Sequence, residues 1–159
     1  MYSEQKFTVD KLAFEHFLLG NFPESIIKIN KAYLGHGNAY ETSVSISEDK
    51  KAGVLTVKQN NITLSREKYS YEIPLSEART MYELCKLKIE KVRFTVLYDE
   101  HEWEIDIYFN SELVIAKVQI RDEQSKVVKL PSFCTQEVTG SSEFYDYSIA
   151  KKLASALSN

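Results

Sequence analysis

The stretch KVRFTVLYDEHEWEIDIYFNSELVIAKVQI, residues 91–120, writes three strands with one rule. Lys91 and Arg93, then Glu104 and Asp106, then Lys117 and Gln119 alternate with Val92, Phe94, Ile105, Ile107, Val118 and Ile120. Neighbouring side chains on a strand point to opposite faces, so each of these strands carries an apolar face and a charged one. The charges come as same-strand pairs of one sign, where a solvated surface tends to mix signs. Paired signs suit the inside of a charged channel better than a wetted sheet.

Working outward, period-two alternation and turn residues predict eight strands. They are Tyr2 to Thr8, Ser25 to Leu34, Tyr40 to Ser47, Val54 to Gln59, Arg66 to Ile73, Lys88 to Tyr98, Trp103 to Phe109 and Leu113 to Arg121. The links are short and rich in Gly, Asn, Asp and Ser, as hairpins require. Three helices interrupt the meander: Val9 to Leu19, ending at Gly20; Glu77 to Leu87, with Ser76 as the cap; and Ser148 to Leu157. The expected fold is α+β, an eight-stranded antiparallel β-barrel with about three flanking helices, in a single domain spanning residues 1–159.

Composition agrees and narrows the function. Ten Tyr and eight Phe against five Gly and three Pro favour strands over loops. A net charge of -3 gives no broad basic field, which argues against nucleic acid or an anionic membrane as partner. No stretch approaches the ~20 apolar residues needed to span a bilayer, and no apolar leader opens the chain, so a cytoplasmic location is expected. Cys85 and Cys134 have neither metal-knuckle nor disulfide spacing and are expected as free thiols. The sequon Asn61-Ile62-Thr63 reads as a chance occurrence without a secretory signal. Apolar strand faces that three short helices leave uncovered are compatible with a homodimer.

Taking the charged residues as the inward parity places Glu4, Lys6, Lys28, Glu41, Lys58, Arg66, Lys68, Glu72, Lys91, Arg93, Glu104, Asp106 and Lys117 in the lumen. Eight cations then face five anions, so an acidic chain concentrates positive charge inside itself. Low-dielectric walls strengthen such a field toward a multiply charged anion. His16, His36 and His101 form no cluster, and no GxSxG elbow, Walker loop, HExxH helix or EF-hand loop is present.

The arrangement resembles the CYTH superfamily, the triphosphate tunnel metalloenzymes. The residues that carry the resemblance are Glu4-Gln5-Lys6-Phe7 at the family's amino-terminal ExExK motif, Lys28 to Leu34, Leu55-Thr56-Val57-Lys58, and Tyr71 to Leu75. Further carriers are Lys91-Val92-Arg93-Phe94, Trp103 to Ile107, and Glu137-Val138-Thr139-Gly140 before the last helix. The resemblance implies an eight-stranded tunnel whose lumen Lys and Arg grip a triphosphate. It also implies acids that hold Mg2+ or Mn2+, because phosphoryl transfer asks mainly for placement and charge neutralisation. Family activities include inorganic and thiamine triphosphatases and one class of adenylate cyclase.

Departures matter as much. Tyr2 stands at the first ExExK acid, Ser43 and Ser45 at the usual arginine pair, Lys68 and Ser70 at acids of the fifth strand, and Lys117 and Gln119 at those of the eighth. The expected anion-binding set is Lys6, Lys58, Lys91, Arg93, Lys68 and Lys117, with Glu4, Glu104 and Asp106 left as metal ligands if Mg2+ or Mn2+ binds. Catalytic residues are not assignable. A hairpin over Ser111-Glu112 would pair Asp106 with Lys117 and Glu104 with Gln119, giving an internal ion pair where active relatives would hold a cation. The chain thus reads as a degenerate tunnel that binds a phosphorylated small-molecule anion with weak or absent hydrolysis. The alternatives are a metal-dependent triphosphate hydrolase of the inorganic or thiamine triphosphatase type, an adenylate cyclase, and a structural or partner-binding barrel.

Overall fold

The computed structural model describes residues 2–47, 51–60 and 65–158. The sequon at 61–63 and parts of the turns expected at 48–53 and 60–65 lie outside them. Among the described residues the strands are β1 (Tyr2–Val9), β2 (Ser25–His36), β3 (Tyr40–Ser47), β4 (Ala52–Gln59), β5 (Ser65–Arg66), β6 (Lys68–Pro74), β7 (Lys88–Tyr98), β8 (His101–Tyr108), β9 (Val114–Ile120) and β10 (Cys134–Glu137). The helices are α1 (Lys11–Gly20), α2 (Leu75–Leu84) and α3 (Asp146–Ser158). The α+β class holds.

All strand pairs are antiparallel, in the order β10-β1-β9-β8-β7-β2-β3-β4-β6, with β5 pairing β1. Two expectations change here. The single fifth strand is broken at Glu67 into β5 and β6, and β10 is an additional strand laid against the outer edge of β1. β6 follows β4, whereas only the two residues of β5 reach β1, so the sheet is not a closed barrel.

Why these residues form these elements is local. Asp99 and Glu100 both take positive φ, 50° and 64°, giving the two-residue turn whose twist matches the β7–β8 hairpin. Tyr98 therefore faces His101, and β8 begins two residues before the expected Trp103. Asp10 caps α1, its carboxylate accepting the Ala13 backbone N–H at 3.0 Å. Helix α2 starts at Leu75 directly after Pro74 without a side-chain cap, so Ser76 is its second residue rather than its cap.

Three apolar clusters pack against the sheet. Under α1, Phe14 is fully buried with Trp103, Phe7 and Phe133, and the Phe14 and Phe133 rings meet edge-on at 5.1 Å. Helix α2 buries Ala78 on Ala32 and Val44. Helix α3 lays Ile149 and Ala150 on Tyr33, Ile89, Tyr108 and Ile115. Those four belong to the face that the sheet turns inward, so α3 closes one end of the interior rather than covering an outer wall. The charged face meets that interior. No described helix is long and apolar enough to cross a membrane.

Gly53 on β4 lies where a Cβ would run into the Ala78 Cβ of α2. The close approach of helix and sheet depends on the missing methyl. Gly53→Ala is expected to cost about 1–3 kcal/mol through overpacking, read as a lowered thermal unfolding midpoint with an unchanged far-ultraviolet circular dichroism spectrum.

Candidate functional site: a cation-lined cavity

The inward faces enclose a cavity of about 160 Å3. Strands β1 to β9 contribute inward-facing residues: Glu4 and Lys6 from β1; Lys31 and Tyr33 from β2; Glu41, Ser43 and Ser45 from β3; Thr56 and Lys58 from β4; Arg66 from β5; Lys68 from β6. Lys91 and Arg93 come from β7, Glu104 from β8, and Lys117 and Gln119 from β9. Tyr145 and Asp146 enter from the start of α3. Eight side chains are cationic and four anionic.

All six cations expected from the sequence, and Glu4 and Glu104 of the three acids, are thereby brought together. Asp106 lies fully buried at the end toward α3. Two expected lumen residues are elsewhere. Lys28 points outward, with Glu90 at 3.9 Å and the Phe109 ring beneath it, because β2 turns its odd-numbered residues inward. Glu72 shares the parity of Lys68 but lies exposed at the far end of β6.

Asp106 organises the floor. Its Oδ1 accepts from Arg93 Nε at 2.7 Å, and its Oδ2 accepts from Arg93 at 2.9 Å and from Lys91 Nζ at 2.8 Å. Lys117 Nζ stands 3.1 Å from the same Oδ2. Burial works against the charged form, but Lys117, Lys91 and Arg93 hold the carboxyl well below the usual carboxylate range. The expected ion pair is therefore present, by a different register. Glu104 faces Lys117 and Asp106 faces Ile115, two residues from the expected pairing, so Lys117 reaches Asp106 diagonally. Arg93 also pairs with Glu104 at 3.0 Å.

Asp146, which strand periodicity does not reveal, is the second buried carboxylate. Its Oδ2 lies 2.8 Å from Lys91 Nζ and 3.3 Å from Lys31 Nζ, and its Oδ1 accepts from the Tyr108 hydroxyl at 2.5 Å. It opens α3, where acids are common because they offset the helix dipole; that preference was the only signal in the sequence. Beside it, the Tyr145 ring receives Lys6 and Arg66, at 4.8 and 4.2 Å from its centroid. Lys31 escapes the sequence pattern because choosing Lys28, three residues earlier on the other face, as inward excludes it.

Electrostatics divide the cavity into anchored and strained groups. Burial alone would raise the Glu4 carboxyl, yet Lys117, Lys6, Lys58 and Arg66 hold it down to about 2. Burial, and then Lys117, push the Lys6 ammonium down to about 8 against the pull of Glu4 and Asp146. Burial likewise lowers Lys58 and Lys68, each with neighbouring cations adding to the effect. Such groups gain from an incoming anion. The Tyr33 hydroxyl is buried without a hydrogen-bond partner among the described residues, and burial keeps it protonated.

A divalent cation fits this set poorly. Mg2+ and Mn2+ need several carboxylate or water oxygens around one point, but both Asp106 oxygens face cations and Glu104 faces Arg93. No group of three His, Cys, Asp or Glu side chains converges among the described residues.

Fold and cavity together define an α+β protein with one antiparallel sheet wrapped about a cation-rich interior. No family model matches the chain. It is 33% identical over 152 residues to an inorganic triphosphatase of Acetivibrio thermocellus, a match spanning 93% of this chain and 92% of the relative. The chain belongs to the CYTH superfamily of triphosphate tunnel metalloenzymes. Solved structures share the fold at low identity. A conserved hypothetical protein of Pyrococcus furiosus superposes with a TM-score of 0.63 at 15% identity, over 79% of this chain and 82% of that one. A putative adenylyl cyclase of Hippeastrum with a dominant triphosphatase activity gives 0.63 at 9% identity, over 78% and 81%.

Removing the Asp106 charge leaves three buried cations short of their counter-ion. Asp106→Asn is expected to destabilise by about 3–5 kcal/mol, measured by urea denaturation at neutral pH. The depressed Glu4, Asp106 and Asp146 carboxyls bind fewer protons folded than unfolded, so their stabilisation is complete above the ordinary carboxylate range and is lost as pH falls toward 2. The acid limb of the wild-type stability profile should flatten in Asp106→Asn.

Proposed function

We propose that this chain, as one domain, holds a small polyphosphate anion inside a tunnel-like cavity, and that hydrolysis is slow or absent. The observation that carries the reading is the excess of eight cationic over four anionic side chains on one enclosed surface. An unesterified polyphosphate spreads its charge along its length and needs donors on every side, which Lys6, Lys58, Lys68, Lys91, Arg93 and Lys117 supply from five strands. A cavity of about 160 Å3 is below the usual range for organic ligands, about 300–1,000 Å3. That favours a compact inorganic anion over a nucleotide. Slow hydrolysis follows from the acids: Glu104 and Asp106 are engaged by Arg93, Lys91 and Lys117, leaving little to hold a metal that would polarise a phosphoryl group.

A second reading, metal-dependent triphosphate hydrolysis, is favoured by one finding: the Acetivibrio relative, aligned over nearly its whole length, is an inorganic triphosphatase. In that case Glu4, Glu104 and Asp106 would hold Mg2+ or Mn2+ after breaking their ion pairs.

Calorimetric titration with tripolyphosphate, first in EDTA and then in Mg2+ or Mn2+, separates the two when phosphate release is assayed on the same samples. The expected result is binding in EDTA without release. Lys58→Ala should weaken it by about tenfold or more, the loss of one hydrogen bond to a charged group. Because the Lys6 ammonium titrates near 8 when no anion is bound, affinity should fall as pH rises through that value. Binding there should also take up protons, detected by comparing heats in buffers of different ionisation enthalpy. Binding and release that both require metal would establish the hydrolase instead.

A further inference from the structure

Resting on the anion-binding reading above, we infer that the Lys117 ammonium is a resident cation of the cavity, taking the place a divalent metal ion would hold among Asp106, Glu104 and Glu4. β9 runs between β1 and β8, and its register puts Lys6, Lys117 and Glu104 side by side across three strands, with Glu4 opposite Gln119 in the next row inward. Lys117 Nζ reaches 3.1 Å from Asp106 Oδ2. It is also the strongest attraction felt by both the Glu4 and the Asp106 carboxyls. One ammonium thus contacts Asp106 of β8 and lies within electrostatic reach of Glu4 of β1.

The chemistry of the exchange is consistent. Mg2+ or Mn2+ demands close oxygens in a fixed geometry, whereas an ammonium on a four-carbon stem accepts looser spacing and offers three donors. Contact with Asp106 leaves donor capacity for an anion oxygen. Burial works against the charged form, but Asp106 and then Asp146 raise the Lys117 ammonium above its ordinary value, so it stays charged across the neutral range. A doubly charged ion placed within a few ångströms would meet that charge, together with Lys91, Arg93 and Lys6, and be repelled. The cation is covalently tethered, so chelation cannot remove it.

The test uses Mn2+ alone on the full chain, following the paramagnetic resonance signal of the free aqueous ion. Wild-type protein should leave the signal undiminished at millimolar Mn2+. Lys117→Gln removes the ammonium while Asp106 keeps Lys91 and Arg93, so the variant should fold, as checked by thermal unfolding, and bind Mn2+ about tenfold or more tightly than wild type. Lys117→Arg, which keeps the charge, should behave as wild type. In EDTA, Lys117→Gln should bind tripolyphosphate about tenfold more weakly. Mn2+ bound by the wild-type chain overturns the inference, and so does a folded Lys117→Gln that gains no Mn2+. The wild-type measurement decides even if that variant does not fold. Failure of wild type to bind tripolyphosphate would sink the anion-binding reading instead, and the two failures are read on separate titrations.

Discussion

A carboxylate with no access to water, held by two lysines and an arginine, is the constraint on which the rest of this structure depends. Asp106 cannot be buried charged without Lys91, Arg93 and Lys117, and those cations cannot be crowded together without it. The pairing fixes β7, β8 and β9 relative to one another. It also sets the polarity of the cavity, because once Asp106 is neutralised the remaining lumen charge is dominated by cations. Asp146 repeats the device from α3, sharing Lys91, so the last helix is tied to the floor by charge as well as by Ile149 and Ala150.

The sequence made the sheet legible because its signal is periodic and strong. Every expected strand has a counterpart, the fifth in two pieces, and Lys6, Lys58, Lys68, Lys91, Arg93, Lys117, Glu4 and Glu104 share one cavity. The errors have physical causes. Lys28 and Lys31 are three apart and cannot share a face, and the inward choice fell on the wrong one because the true inward run of β2 contains Ile29 and Tyr33. The β8–β9 register was displaced by two because Asn110 takes φ 61° and Leu113 stays in the turn, lengthening the loop. A shift of two preserves parity, so the ion pair survived it. Asp146 and Tyr145 belong to a loop-to-helix junction, where no periodicity marks which side chain turns inward. β10 is four residues long, too short for alternation to announce itself.

The family supplies the fold, and the side chains modify what it can do. Where the resemblance implies acids, Lys68 and Lys117 line the cavity with positive charge instead. On the proposed reading, affinity for an anion is a property of the apo chain rather than of a metal complex.

The place of β1 in the sheet also has a consequence for biosynthesis. Its inner neighbour begins at Val114 and its outer neighbour at Cys134, with Glu4 opposite Gln119 and Phe7 opposite Glu137. Apart from its two-residue pairing with β5, β1 therefore finds its partners only once β9 and β10 have been made. Until then most of its backbone donors and acceptors have no ladder to join, and Glu4 and Lys6 are not yet part of the cavity. Assembly dominated by such distant pairings is slow for topological reasons, and the nascent chain carries an open strand that must be kept from other open strands.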